Sequence, residues 1–147
     1  QDSYSHGFYN QSLNEFEMAY PILKNDGDFL MNYGKALAVA GHPLKAAQIL
    51  ERGKRYLNTT IVETTLGDVQ RAMGNNKLAE KKYSRASLMA PNRFYPHYLL
   101  AKLYLESGQK EKAIDKAKEI LKKKIKVQST AIDEIRAEMT DILEEAP

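Results

Sequence analysis

The chain of 147 residues contains no cysteine and no tryptophan. Without thiols it forms no disulfide, no thiolate zinc site and no thiol nucleophile, whatever its compartment. Charge of neither sign prevails: 22 Lys and Arg stand against 19 Asp and Glu, a formal net charge of +3. That balance is too small to imply a polyanionic partner such as nucleic acid. No apolar run approaches the roughly 20 residues that a helix needs to cross a bilayer. Phosphate loops, nucleophile elbows and zinc-protease motifs are missing as well. The three histidines, His6, His42 and His97, have no second histidine or carboxylate at metal-ligand spacing. They are expected to be solvent-exposed and structural. Glu15 with Glu17 and Asp26 with Asp28 are too closely spaced to act as a catalytic pair and fit a solvated face or a helix cap. The expectation is a chain with no catalytic residue, no metal and no cofactor.

What the chain does contain is a period. Gly41, Gly74 and Gly108 lie 33 and 34 residues apart. Seven residues before each stand Gly34, Gly67 and Ala101; five residues after stand Ala46, Ala79 and Ala113. Leu50, Tyr83 and Ala117 follow, then Gly53, Ala86 and Ile120, with Asn58, Pro91 and Ile125 near the ends of the units. Each unit holds two stretches of helical apolar spacing, such as Leu30, Tyr33, Gly34 and Leu37 followed by Ala46, Ile49, Leu50 and Gly53. A glycine inside a helix costs roughly 1 kcal/mol relative to alanine, so Gly34 and Gly67 imply that paired helices must approach closely there. Gly41-His42-Pro43, Gly74-Asn75-Asn76 and Ser107-Gly108-Gln109 read as turns between the helices.

A period of about 34 with small residues at these offsets resembles the tetratricopeptide repeat family. The resemblance implies an all-α fold: an α-solenoid of antiparallel helix pairs closed by a C-terminal capping helix. The units are 27–59, 60–93 and 94–127. Residues 1–26 fit half a unit, with Gly7 at the loop position and Phe16 and Ala19 at second-helix positions. With Gln1 in place of a start methionine, they are expected to be the cut edge of a longer protein. Residues 128–147 form the cap, with Ser129 or Thr130 as its N-cap and an apolar stripe of Ile132, Ile135, Met139 and Ile142. The cap carries six acids against Arg136, whereas residues 110–126 carry eight lysines against three acids. These two segments are expected to lie together and offset one another's charge; otherwise the lysines form a phosphate or lipid patch.

By analogy with the family, the inner groove displays Asp28, Met31, Lys35, Thr64, Asp68, Arg71, Tyr95, Tyr98 and Lys102, and Tyr104 belongs to the core. Aromatic anchors with both signs of charge suit a peptide or protein segment. Members that clamp a C-terminal carboxylate need basic and amide residues at places that here hold Met31, Lys35, Thr65, Tyr95 and Leu99. Only Lys35 is basic, so chaperone-tail binding is not expected.

Three stretches are more particular. They are 90–104 (Ala90-Pro91-Asn92-Arg93-Phe94-Tyr95-Pro96 leading into His97-Tyr98-Leu99-Leu100-Ala101-Lys102-Leu103-Tyr104), 126–135 and Asn32-Tyr33-Gly34-Lys35-Ala36-Leu37. They resemble the C-terminal repeat tail of O-antigen ligase/polymerase-type membrane proteins of Bacteroidetes. That resemblance implies a soluble appendage on the inner membrane, facing the periplasm, with the glycosyl-transfer chemistry elsewhere; the alternative location is cytoplasmic. The function expected is a non-catalytic interaction or scaffold domain. A stand-alone structural or oligomerisation module and a glycan or lipid-headgroup binder are the alternatives. RNA reading by a related helical repeat is disfavoured by the small-residue pattern and the modest charge.

Overall fold

The computed structural model describes residues 3–123, 125 and 128–145, with side chains from Ser12 onward. Gln1, Lys124, Lys126 and Val127, and the side chain of His6, lie outside this description. Eight helices follow one another among the described residues, with no strand: α1 (Ser3–Leu23), α2 (Gly27–Val39), α3 (Pro43–Lys54), α4 (Thr60–Ala72), α5 (Asn76–Met89), α6 (Phe94–Glu106), α7 (Lys110–Lys122) and α8 (Thr130–Glu145).

The turns inside the pairs share one mechanism. Gly41, Gly74 and Gly108 adopt φ of 87°, 80° and 76°, a region that costs side chains with a Cβ but not glycine. Each ends its helix in a doubly bonded turn. In the first, Gly41 N–H donates to Ala38 O at 3.1 Å and His42 N–H to Leu37 O at 2.8 Å. The same two bonds recur at Gly74-Asn75 and Gly108-Gln109. Pro43 then opens α3, where a missing N–H costs nothing. Between the pairs, side-chain caps start the next helix: Asp26 accepts from Phe29 N–H at 3.0 Å and Thr59 from Val62 N–H at 3.4 Å.

The core lies in the seam between the helices as three successive apolar clusters. Leu30, Leu50, Leu66, Tyr83, Leu100 and Ile120 are fully buried, each aliphatic one contributing about 1.5–3 kcal/mol relative to exposure. The helical glycines sit where that seam is narrowest. A Cβ on Gly34 would stand 2.5 Å from Leu50 Cδ2, and one on Gly67 would overlap the Tyr83 ring. In the third unit Ala101 is itself buried, and buried Ala117 stands at the place held by Leu50 and Tyr83 in the first two units.

Four expectations need correction. Gly7 lies inside α1, whose helical backbone runs through it without a turn. His97 is buried, only 5% exposed, because α7 packs on α6 and brings Lys116 and Glu119 to the ring. Tyr104 is half-buried beside the core. The lysine-rich and acidic segments do adjoin, since α7 packs on α8. Their contact is apolar, however, through Ala117, Ile120, Ile135 and Met139. No ion pair joins the two helices among the described residues; the polar link is Arg136 Nη1 donating to Leu121 O at 3.0 Å. Most charged residues of the two helices are exposed to water, where screening leaves them little to gain. Ser129 is the N-cap of α8, accepting from Ile132 N–H at 3.2 Å.

Candidate functional site

The first helices of the units, α2, α4 and α6, touch in succession, and α8 continues the row. The second helices α3, α5 and α7 lie further apart and meet only through long side chains, Lys82 with Glu51 at 2.6 Å and Lys112 with Glu80 at 3.8 Å. The stack therefore curves, with α2, α4, α6 and α8 on its inner face.

Seven of the nine residues assigned to this face reach its surface. Asp28 and Lys35 are exposed on α2; Asp68 and Arg71 are half-buried on α4. On α6, Tyr95 is 52% exposed and Tyr98 and Lys102 are half-buried. Met31 and Thr64 are buried in the helix packing. Thr64 Oγ1 spends its donor on Ile61 O at 3.0 Å. Met31, Thr64 and Tyr98 share one offset in their units, the offset that turns toward the next first helix. Tyr98 shows this directly, donating from its hydroxyl to Glu138 Oε1 on α8 at 3.1 Å.

The polar groups of α4 and α6 form one cluster. Tyr83 crosses from α5 beneath Gly67 and its hydroxyl donates to Asp68 Oδ1. Burial raises the Asp68 carboxyl above its usual range, while the Tyr83 bond and the Arg71 charge pull it back. Tyr83 itself is pushed far up by burial and then by Asp68. Tyr95 packs on Tyr98 with ring centroids 6.2 Å apart, and Lys102 Nζ lies 5.3 Å from the Tyr98 centroid. Burial raises Tyr95, followed by the charge of Asp68, with Arg71 and Lys102 opposing. Five side chains from two helices thus share one electrostatic neighbourhood.

Sequence reading missed the apolar part of this face. A cleft of about 310 Å³ opens between α2 and α4, walled by Val39, Pro43, Val69 and Ala72, with Lys35 and Asp68 among its polar lining. Val39 lies one turn beyond Lys35 on the same strip of α2, and that spacing was the available signal. Two other clefts, of about 320 and 300 Å³, flank Tyr33 and Lys45 where α1 meets α2 and α3. Their charges pair with each other, Lys45 with Glu17 at 3.5 Å. Among the described residues no cluster of His, Asp and Glu could hold a metal ion, and no helix is long and apolar enough to cross a membrane.

Solved structures share this architecture. The crystal structure of MamA superposes with a TM-score of 0.73 at 16% identity, covering 98% of this chain and 92% of that one. TTC0263, a thermophilic TPR protein from Thermus thermophilus, gives 0.72 at 18% identity over 94% and 74%. PcrH of Pseudomonas aeruginosa, in complex with the chaperone binding region of PopD, gives 0.65 at 19% over 80% and 87%. The fold is a tetratricopeptide-type solenoid. No family model matches the sequence, and no curated protein matches it either. At such identities the tetratricopeptide likeness is one of backbone architecture, and the surface chemistry is this chain's own.

Proposed function

We propose that this solenoid is a non-catalytic interaction module that holds a protein or peptide segment along its inner face. One observation carries the reading: exposed Tyr95, half-buried Arg71 and the apolar α2–α4 cleft lie along a single curved face. A preformed concave surface with aromatic and arginine anchors suits segment capture, because such residues supply most of the energy at interfaces. The PcrH complex, in which a similar solenoid accompanies a binding region of another protein, supports the same mode.

The test is a pull-down with the isolated chain, read by mass spectrometry, against Arg71→Ala combined with Tyr95→Ala. Tyr95 is the better target than Tyr98, which is tied to α8. The double variant should keep its helical circular dichroism and lose the captured protein. Equal capture by a folded double variant moves the site off the inner face.

The narrower reading places the module as the soluble, periplasm-facing tail of an O-antigen ligase/polymerase-type membrane protein. It rests on the sequence stretches 90–104 and 126–135. It requires the gene product to carry about ten apolar helices of roughly 20 residues each. Sequencing the gene decides it, and a product without those helices removes the reading.

A further inference from the structure

We infer that the segment held on the inner face presents an acidic side chain next to an aliphatic one. This rests on the reading that the face holds a segment at all, and goes on to name the chemistry it selects.

The charge preference follows from which groups are already engaged. Asp68 accepts the Tyr83 hydroxyl, and Glu138 accepts the Tyr98 hydroxyl. Both of these acids thus have an internal donor, and burial already disfavours the Asp68 charge; exposed Glu106 lies one turn beyond Lys102 and in its field. The cations are freer. Among the described residues neither Lys35 nor Arg71 has a carboxylate within 4 Å. Lys102 lies over the Tyr98 ring, in the fields of Glu106 and Glu138 but bonded to neither. Exposed Asp28 sits in the first turn of α2, where the helix N-terminus offsets its charge. An incoming carboxylate meets Arg71 and Lys102 on either side of Tyr95 and can form charge-assisted hydrogen bonds. An incoming ammonium meets Asp68 and Glu138 with lone pairs partly spent, and at Glu106 it competes with Lys102 four residues before it.

The aliphatic preference follows from the cleft. Its volume of about 310 Å³ exceeds the roughly 150 Å³ apolar cavity that accommodates benzene. It therefore has room for a branched side chain and part of the backbone carrying it. Val39, Pro43, Val69 and Ala72 offer that side chain no hydrogen bond, and of the polar lining Thr65 and Asp68 are engaged by the Ile61 carbonyl and by Tyr83, so a polar side chain against the apolar wall would lose water without full replacement. Packed helices lie about 8–10 Å apart. The path from α2 to α6 is then roughly 20 Å, or about six extended residues.

The probes are fluorescein-labelled peptides of about ten residues in a Gly/Ser background. Each pairs one leucine with one aspartate at varied spacing. Matched sets carry lysine for aspartate or serine for leucine. Anisotropy with the full chain should show the best Leu/Asp peptide binding about tenfold tighter than either matched set, as one charge-assisted contact implies. Its affinity should fall with salt. Arg71→Ala should remove most of the aspartate advantage and leave the lysine set unchanged. Equal or tighter binding of the lysine set overturns the acidic preference while segment capture stands. Equal binding of the serine set overturns the aliphatic half. Silence from every set overturns the inference, and the capture experiment with Arg71→Ala and Tyr95→Ala then decides the broader reading separately.

Discussion

Glu63 and His97 stand at the same place, the fourth residue of α4 and of α6, and Leu30 stands there in α2. All three are buried. Twenty-two residues on stand the second-helix residues Arg52, Arg85 and Glu119. In the second unit the buried acid pairs with Arg85 at 3.2 Å and with Lys54 of the preceding unit at 2.9 Å. In the third unit the acid lies on the second helix instead, with His97 Nδ1 3.7 Å from Glu119. In the first unit a leucine fills the place, and Arg52 turns away to donate to Lys24 O at 2.6 Å and Asn25 Oδ1 at 2.7 Å. The repeat therefore fixes the site of burial but not its chemistry. A leucine fills the place without help, whereas a charged group needs partners drawn from neighbouring helices.

The strongest way to break the comparison is to strip Glu63 of its partners. Neither cation meets hydrogen-bond geometry with the carboxylate, whose two oxygens are buried, so the pairs act through charge alone. Lys54→Met with Arg85→Met leaves an unpaired buried acid and should cost about 3–5 kcal/mol, read from the midpoint of a urea titration. A loss below about 1 kcal/mol would mean that water reaches the carboxylate. Glu63→Leu copies the first unit. It should be close to neutral in the wild type and recover most of the loss in the double variant, since replacing a buried pair by apolar groups is often neutral or stabilising.

Next in size is the contact that separates the second unit from the third one turn further on. Gly67→Val drives a side chain into the Tyr83 ring and should cost about 1–3 kcal/mol. Tyr83→Ala copies Ala117 of the third unit. Alone it leaves a cavity; combined with Gly67→Val it should cost less than the sum of the two, with a coupling of about 0.5–3 kcal/mol. Strict additivity would sink the close-approach account of Gly67. Ala101→Gly, the converse change in the third unit, should cost only about 1 kcal/mol, mostly helix propensity.

These contrasts mark what could be read from the residues. Glycine and alanine at fixed offsets reveal the period because close helix approach and positive φ are steric demands that only small residues meet. Gly34, Gly67 and the three turn glycines were legible for that reason. Glu63 was not. A charged residue in a helical stripe reads as solvated, and its partners Lys54 and Arg85 come from separate helices 9 and 22 residues away. His97 differs from its expectation for the same reason, its burial depending on how α7 packs against α6. On the inner face, the residues carried over from the family lie on α2, α4 and α6. How deep Met31 and Thr64 sit depends on the helix beside them, and that is set by tertiary packing.

The smallest expected effect tests the third unit through pH. His97 Nδ1 lies 3.4 Å from Lys116 Nζ. With Nδ1 accepting there, the ring proton is assigned to Nε2, a buried atom with no partner among the described residues. Burial, then the charges of Lys123 and Lys116, hold the imidazole below its usual pKa, against the weaker pull of Glu119 and the Pro91 carbonyl. The unfolded chain therefore takes up a proton near pH 6.5 that the folded chain refuses. Stability is unaffected well above that pH and declines as pH falls through it, levelling off below the folded-state value. Asp68, raised by burial, works in the opposite direction above about pH 3.8, so the wild-type profile alone mixes the two. Urea midpoints of the wild type and His97→Leu at pH 7.5 and 5.5 separate them. The gap between the two proteins should shift in favour of the leucine variant at the lower pH. An unchanged gap would mean that His97 is protonated as readily in the folded chain as in the unfolded one, making it a mere spacer at the place where Glu63 carries a charge.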